Sequence, residues 1–425
     1  MERYNIKGEQ FVKEYSSVIR IYSKQNYLHM TRKPVGILKY PFIVPGSQSY
    51  SDCLWDWDSW LTNVAVRQIM LDNNTAATEF FQCEKGCILN FLEHTAPDGK
   101  MPICIFSDRV FPELKEEQRI NIHKPCLAQH AAFVVQQNGG DAIWLAPHLD
   151  KLQAYIGYYQ TQLFHKKTGL FFWHDDTAIG VDNDPSIFYR PDDSIASIFL
   201  NSLMYKELLA MAYICKVLGK DDTKYIDDAE HLKKAVNEHL WDERNGMYYS
   251  ADLNLRPIDL TEYLHSGMPR HWSSVIIRID SWSSFMAMWA GLATPERAKR
   301  MVYENMLKPE LFWSNYGVCT LAKTEKMYRI IKSGNPSCWL GPIWGISNYM
   351  CYRGLKNYSF DAEAKDLAEK TIRLFGQDIE ACGELNEYYH PDTGEGVNNP
   401  GFQNWNLLVN NMIAEQEGRL VVKEF

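Results

Sequence analysis

Apolar residues recur along this chain mostly at spacings of three and four, with polar residues filling the gaps, which is the period of amphipathic helices rather than strands. At 229–240, Ala229, Leu232, Ala235, Val236 and Leu240 trace one helical stripe. At 360–374, Phe360, Ala364, Leu367, Ala368, Thr371 and Leu374 repeat it, with Ser359 expected as N-cap and Gly376 as stop. Less tidy versions occupy roughly 7–24, 59–72, 76–94, 125–138, 145–164, 193–218, 281–292, 295–307, 343–354 and 401–415, which makes about twelve helices. Strand signals are short and local. WDERNGMYYSADL at 241–253 carries an Asn245-Gly246 turn between aromatic arms, and FHKKTGLFFW at 164–173 turns at Thr168-Gly169. Helices in sequential pairs with small hairpins between them predict an all-α fold, an (α/α)6 barrel with short β-hairpin insertions. The open solenoid is disfavoured because no motif repeats at a fixed period. The 193–218 segment, apolar nearly all round, reads as an inner helix of such a double ring.

No low-complexity tract or Pro/Ser-rich linker divides the 425 residues, so one unit spanning 1–425 is expected. An apolar fraction of 46% excludes a disordered chain. With 44 Lys and Arg against 53 Asp and Glu the net charge is −9, which argues against nucleic acid as a partner. No stretch approaches the ~18 consecutive apolar residues of a bilayer span, and MERYNIKGEQ at the start has no apolar signal region, so no membrane partner and a cytoplasmic location are expected. Ten scattered cysteines without a C-x2-C pair read as reduced, buried thiols; Cys83 and Cys87 share a helix face, too little for a zinc site.

The unusual feature is aromatic content, 13 Trp, 24 Tyr and 19 Phe. Part of it concentrates in four polar-aromatic segments placed where loops join helices: LWDWDSW (54–60), IGVDNDPS (179–186), SCWLGPIWGISNYM (337–350) and ELNEYYHPDTGEG (384–396). Carboxylates and amides beside indole and phenol rings are the mixture that sugars require, hydrogen-bond partners for hydroxyls and flat faces for C–H surfaces. Glycosidic cleavage needs two carboxyl groups, one to protonate the leaving oxygen and one acting from the opposite side. Asp182, beside an Asn-Asp-Pro turn, and Glu387, before a Tyr-Tyr pair, suit those roles, since apolar neighbours can raise one pKa and leave the other group ionised. Each has a rival: Asp184, which is expected to cap the following turn, and Glu384, expected as a hydrogen-bonding neighbour of Glu387.

In this order and at these intervals, the four segments resemble the signature of the inverting α-glycosidase group that includes glycoside hydrolase family 63, the mannosylglycerate and glucosylglycerate hydrolases and the trehalases. WDWDS at 55–59 resembles that group's early W-D-S element. IGVDNDP resembles S-G-x-D-N-S-P, whose Asp is the general acid. CWLGPIWGISNYM resembles the W-x-G-P-I-W…N-Y element that lines the sugar pocket, and EYYHPDTGEG resembles E-x-Y-x-P-x-T-G, whose Glu is the general base. Further similarity in KPCLAQHAAFVV (124–135), HKKTGLFFW (165–173), FLNSLMYKELLAMA (199–212), LWDERNGMYY (240–249) and SFMAMWAGLATPERA (284–298) carries the match from about residue 50 to the C-terminus. Ile179 and the Ser337-Cys338 pair depart from the pattern.

The resemblance implies an active site at the mouth of the ring, with Asp182 as acid and Glu387 as base holding a water. It implies Asp58 on sugar hydroxyls, Trp57, Trp339 and Trp344 as stacking surfaces, and Trp55, Gly341, Glu384 and Tyr388 as further substrate-binding positions. It implies no cofactor and no metal. The expected partner is a small carbohydrate, an α-glucoside or α-mannoside of disaccharide or glycosyl-glycerate size; a homo-oligomer is left open. Arg190, His123 and Lys124 are candidates to meet an acidic aglycone. Plainer readings stay open beside these: a turn Asp at 182, a surface charge at 387, core tryptophans, and Asp58 as N-cap of a helix over 59–72. Rival functions on the same barrel are a sugar epimerase using His265 and His271, a phosphorylase needing an anion cradle, and a non-catalytic glycan binder.

Overall fold

The computed structural model describes residues 2–78, 80–257, 261, 270–331 and 336–425. Among them are twelve α-helices: α1 (Glu2–Asn26), α2 (Asp56–Asp72), α3 (Phe80–Glu93), α4 (Leu127–Gln137), α5 (Leu149–Gln162), α6 (Ile198–Val217), α7 (Thr223–His239), α8 (Met286–Trp289), α9 (Pro295–Arg300), α10 (Gly345–Asn357), α11 (Asp361–Cys382) and α12 (Val409–Gln416). The even-numbered helices touch in sequence, α2 to α4, α4 to α6, α6 to α8, α8 to α10 and α10 to α12, and α12 returns to α2, which closes an inner ring. Odd-numbered helices pack outside it, α3 on α4, α7 on α6, and α11 on α10 and α12. This is the (α/α)6 barrel the periodicity predicts.

The two rings differ as their chemistry requires. Outer α7 buries the stripe Ala229, Leu232, Ala235 and Val236 and leaves most other positions to solvent. Inner α2 and α6 are buried on nearly every side. The one helix among the described residues long and apolar enough to cross a membrane is α6, and 83% of its apolar window is buried inside the protein, as an inner-ring helix must be. Buried Glu207 of α6 reaches across to α4, where its carboxylate oxygens accept the backbone N–H groups of Ala128 (2.7 Å) and Gln129 (3.1 Å). It thus satisfies the donors that open every helix, on a helix whose own cap residue, Cys126, provides no side-chain cap. Burial pushes the Glu207 carboxyl up to about 8, against these hydrogen bonds.

Several element ends differ from expectation. Ser359 is not the cap of α11: Phe360 holds that place and Ser359 takes a left-handed φ of 61°. Gly376 does not stop the helix, which runs on to Gly383 in the left-handed conformation. Gly376 is there for contact, because a Cβ on it would lie 2.4 Å from the Tyr15 side chain of α1. Helix α2 begins at Asp56 with Trp55 at its cap, so Asp58 sits inside the first turn rather than capping a helix over 59–72. The 193–218 segment gives its first residues to a strand, 195–196, before α6 starts. The two predicted hairpins form, but with longer turns: Gly246 N–H returns to Asp242 O and Gly169 N–H to His165 O, both at 2.9 Å.

Three ribbons of short antiparallel strands matter for function. Strands 53–55, 104–106 and 110–111 lead into α2; 195–196, 251–252 and 275–276 lead into α6; 343–344, 388–389 and 396–398 lead into α10. They gather at the N-terminal ends of inner helices, where unpaired backbone N–H groups and the helix dipole favour negative charge.

Candidate active site

A cavity of about 300 Å³ opens at this end of the ring. Its first wall is the start of α2. Asp56, fully buried, accepts the backbone N–H of Trp57 (2.8 Å) and of Lys124 (3.0 Å), and pairs with the Lys124 ammonium at 2.9 Å. The Lys124 ammonium also lies over the Trp57 ring, 5.3 Å from its centroid, and Gly180 (φ 91°) lets the next loop press against both side chains, since a Cβ there would stand 3.1 Å from each. Asp58 is buried and accepts the Asn404 amide. Its pKa is held well above the ordinary carboxylate range, by burial first and then by the Asp56 charge, with Lys124 and Asn404 opposing.

The second wall is the loop from 174 to 193. His174 and Asp193 close its neck, through Asp193 N–H to His174 O at 2.8 Å and the imidazole to the carboxylate at 2.9 Å. Asp182, half-buried, lines the cavity from this loop. Asp184 does not: it accepts the Ser186 N–H (2.9 Å), as expected of a turn residue, and the hydroxyls of Ser281 (3.0 Å) and Ser283 (2.9 Å). Asn183 between them accepts the Trp339 N–H at 2.8 Å and so ties the Asp182 loop to the tryptophan segment.

Glu387 enters from the 388–389 ribbon, its N–H bonded to Asn398 O. Only 4% of the residue is exposed. Tyr50 donates to its Oε1 (3.2 Å), and the amides of Asn398 (3.0 Å) and Asn399 (3.2 Å) donate to its Oε2. Burial raises its pKa to about 7 despite those three donors, and the Asp182 charge adds to the rise. Glu384, expected beside it, is exposed and outside the cavity lining, where the left-handed turn at Gly383 leaves it; the neighbours of Glu387 are Tyr50 and the two asparagines instead.

The aromatic rings stack mainly on one another. Trp344 lies 4.0 Å from Trp339 at 10° and 5.0 Å from Tyr388 at 27°, while Trp339 is also stacked on Trp282 at 5.7 Å. The expectation that Trp339 and Trp344 offer open faces to a sugar is therefore corrected, because neighbouring rings already cover those faces. Both still line the cavity, with Trp55 and Trp57. Tyr388 supports Trp344 and donates to Pro336 O (2.6 Å), outside the lining. Gly341 is also outside it: its φ of 135° and a would-be Cβ 2.4 Å from the Tyr328 ring explain the glycine by packing. Tyr50, Phe402 and Trp405 line the cavity without having been foreseen. The last two sit in FQNWN at 402–406, the same amide-aromatic mixture as the four segments, which could have been recognised; Tyr50 stands in a loop with no such signal.

Of the three basic candidates only Lys124 reaches the lining. His123 is buried, bonded to Lys124 O (2.7 Å) and kept neutral, its pKa lowered to about 4 by burial. Arg190 lies 3.8 Å from Asp252. His271 is in a different cavity, and His265 is outside the described residues.

Residues 51–405 match the model of the mannosylglycerate hydrolase MGH1-like glycoside hydrolase domain. The chain belongs to that family. A mannosylglycerate hydrolase-like barrel of the same kind is seen in the crystal structure of the family 63 mannosylglycerate hydrolase from Thermus thermophilus in complex with Tris. That likeness has a TM-score of 0.69 at 18% identity, over 92% of this chain and 99% of the other. Among curated relatives, a probable trehalase of Eremothecium gossypii is 30% identical over 48% of this chain and 26% of its own length. The mannosylglycerate hydrolase of Rubrobacter radiotolerans is 24% identical over 48% of this chain and 40% of its own. The family member described here thus spans less than half the length of these curated relatives.

Proposed function

We propose that this family member hydrolyses a small α-glycoside with inversion, Asp182 acting as general acid and Glu387 as general base. The observation that carries the reading is that these two carboxyl groups, far apart in the chain, line one sugar-sized cavity, with the Asp182 charge acting on Glu387. Inversion needs about 6.5–9.5 Å between them, room for one water between Glu387 and the anomeric carbon. Asp182 protonates the departing glycosidic oxygen while Glu387 takes a proton from the water that attacks the opposite face. The Tyr50, Asn398 and Asn399 donors stabilise the charged carboxylate and aim it. Asp58, fixed by Asn404, accepts from sugar hydroxyls, and the edges of Trp57, Trp339 and Trp344 shape the ring's enclosure.

Charge favours a neutral substrate over a glycosyl-glycerate. The described lining holds Asp58, Asp182 and Glu387, while the Lys124 ammonium is committed to Asp56 at 2.9 Å. A bound carboxylate would meet the ionised Glu387 in a low-dielectric hollow, with no uncommitted cation in the described lining to balance it. The test is a hydrolysis screen over trehalose, sucrose, kojibiose, nigerose, isomaltose, glucosylglycerate and mannosylglycerate. A neutral disaccharide is expected to be cleaved fastest, with Asp182→Asn and Glu387→Gln each lowering turnover at least ~10²-fold. Near-normal activity in either folded variant rejects its assignment, and a glycerate conjugate cleaved fastest rejects the preference for a neutral aglycone.

A further inference from the structure

Outside the catalytic cavity, α7 carries His231, Lys234 and His239 on the side that meets the turn of the 164–171 hairpin, where Lys167 stands. The segment 271–276 closes a third side with His271 and Trp272. Together they line a cavity of about 640 Å³ that shares no lining residue with the catalytic one. Among the described residues Glu238 is the one acidic side chain in this lining, 3.9 Å from His239, and neither Lys167 nor Lys234 forms an ion pair. In a chain of net charge −9, two ammonium groups and three imidazoles around one hollow form a local field of the opposite sign. His165, half-buried beneath the hairpin turn, registers that field: its proton affinity is lowered by burial and then by the charges of Lys167 and His239.

Trp272 adds a flat surface. The residue is 59% exposed, yet its backbone is anchored, the carbonyl accepting from Arg270 Nε at 2.9 Å while Arg270 also donates to Arg256 O at 2.6 Å. Cations that lack carboxylate partners suit a phosphate, whose oxygens accept several charge-assisted hydrogen bonds, and an indole face suits a sugar or base ring. We propose that this cavity binds a small phosphorylated ligand bearing a ring, the phosphate held by Lys167, Lys234 and the imidazoles and the ring laid on Trp272. His271, which the sequence suggests as a proton shuttle, serves here as part of an anion cradle. The proposal is independent of the reading of the catalytic cavity.

Titration calorimetry on the full chain at low salt, with glucose 6-phosphate, adenosine monophosphate, inorganic phosphate and glucose as separate probes, tests it. One of the two phosphorylated ring compounds is expected to bind with a Kd below about 1 mM and at least ~5-fold more tightly than phosphate alone. Which one binds tells a sugar phosphate from a nucleotide. The double variant Lys167→Glu, Lys234→Glu should weaken that binding at least ~10-fold, and Trp272→Ala by several-fold without changing phosphate affinity, while glycoside hydrolysis stays unchanged in both. The proposal is overturned if none of the probes binds at millimolar concentration, or if the double variant binds as wild type does. It is also overturned if phosphate or glucose alone matches the ring phosphates.

Discussion

The Tyr50 phenol donates to Oε1 of Glu387 at 3.2 Å, joining side chains 337 positions apart in the chain. That hydrogen bond lowers the proton affinity of a carboxyl that burial raises to about 7. A base must be unprotonated, so activity should fall as pH drops below about 7. In Tyr50→Phe one donor to the charged form is gone, the pKa rises, and the acidic limb of the kcat/KM profile moves to higher pH. A limb unmoved in Tyr50→Phe would sever the link between this contact and the titrating group.

Glu387 also costs stability. An ordinary glutamate titrates near 4.3 in the unfolded chain, whereas in the fold it titrates at about 7, so between those values the folded state binds more protons and stability declines as pH rises. Glu387→Gln removes this loss. Its melting temperature relative to wild type should climb from pH 5 to pH 8, by the equivalent of on the order of 1–3 kcal/mol. The amide keeps one oxygen for Asn398 and Asn399 and turns its NH2 toward Tyr50. A difference that stays flat across that range contradicts the buried, proton-retaining glutamate.

Asn183 acts at one remove. It accepts the Trp339 N–H and is itself buried, so its role is to hold the Asp182 loop in register with the tryptophan segment. Asn183→Ala is expected to lower kcat roughly 10- to 100-fold with a near-normal melting temperature, since small misplacements of a proton donor are costly. Unchanged turnover would mean that the loop keeps its place without this tie.

Glu207 tests the barrel rather than the site. Replacing it with Ala leaves the N–H groups of Ala128 and Gln129 without their acceptor at the buried start of α4. Denaturant unfolding should report a loss of about 2–4 kcal/mol, while Glu207→Gln, which keeps an acceptor, loses less. Equal losses in the two variants would assign the effect to packing instead.

Much of this architecture is legible locally. The α7 stripe is read from spacing because an outer helix has one wet face and one dry face, and the contrast is written into the sequence. Inner helices lack that contrast, and α8, four residues following a 3-10 turn, is shorter than its apolar pattern suggests. The Asp182 and Glu387 segments stand out by composition. What composition does not carry is which rings cover each other: Trp344 looks like an open platform until Trp339 and Tyr388 are seen on it. Tyr50 is invisible for the same reason, since only closure of the ring brings its loop to Glu387. Glu384 and Gly341 fit the motif pattern yet fall outside the lining, one turned outward by a left-handed glycine and the other pressed on Tyr328.

α-Glucosyl fluoride offers the most direct test of the paired carboxyls, because fluoride departs with little need of a proton donor while the attacking water still needs its base. Proton NMR of the first product, run on wild type, Asp182→Asn and Glu387→Gln, should find β-glucose released by wild type. Asp182→Asn should keep its fluoride rate within about 10-fold while losing at least ~10² on a disaccharide, and Glu387→Gln should lose both. α-Glucose as first product, or Glu387→Gln turning over the fluoride at the wild-type rate, would contradict the account.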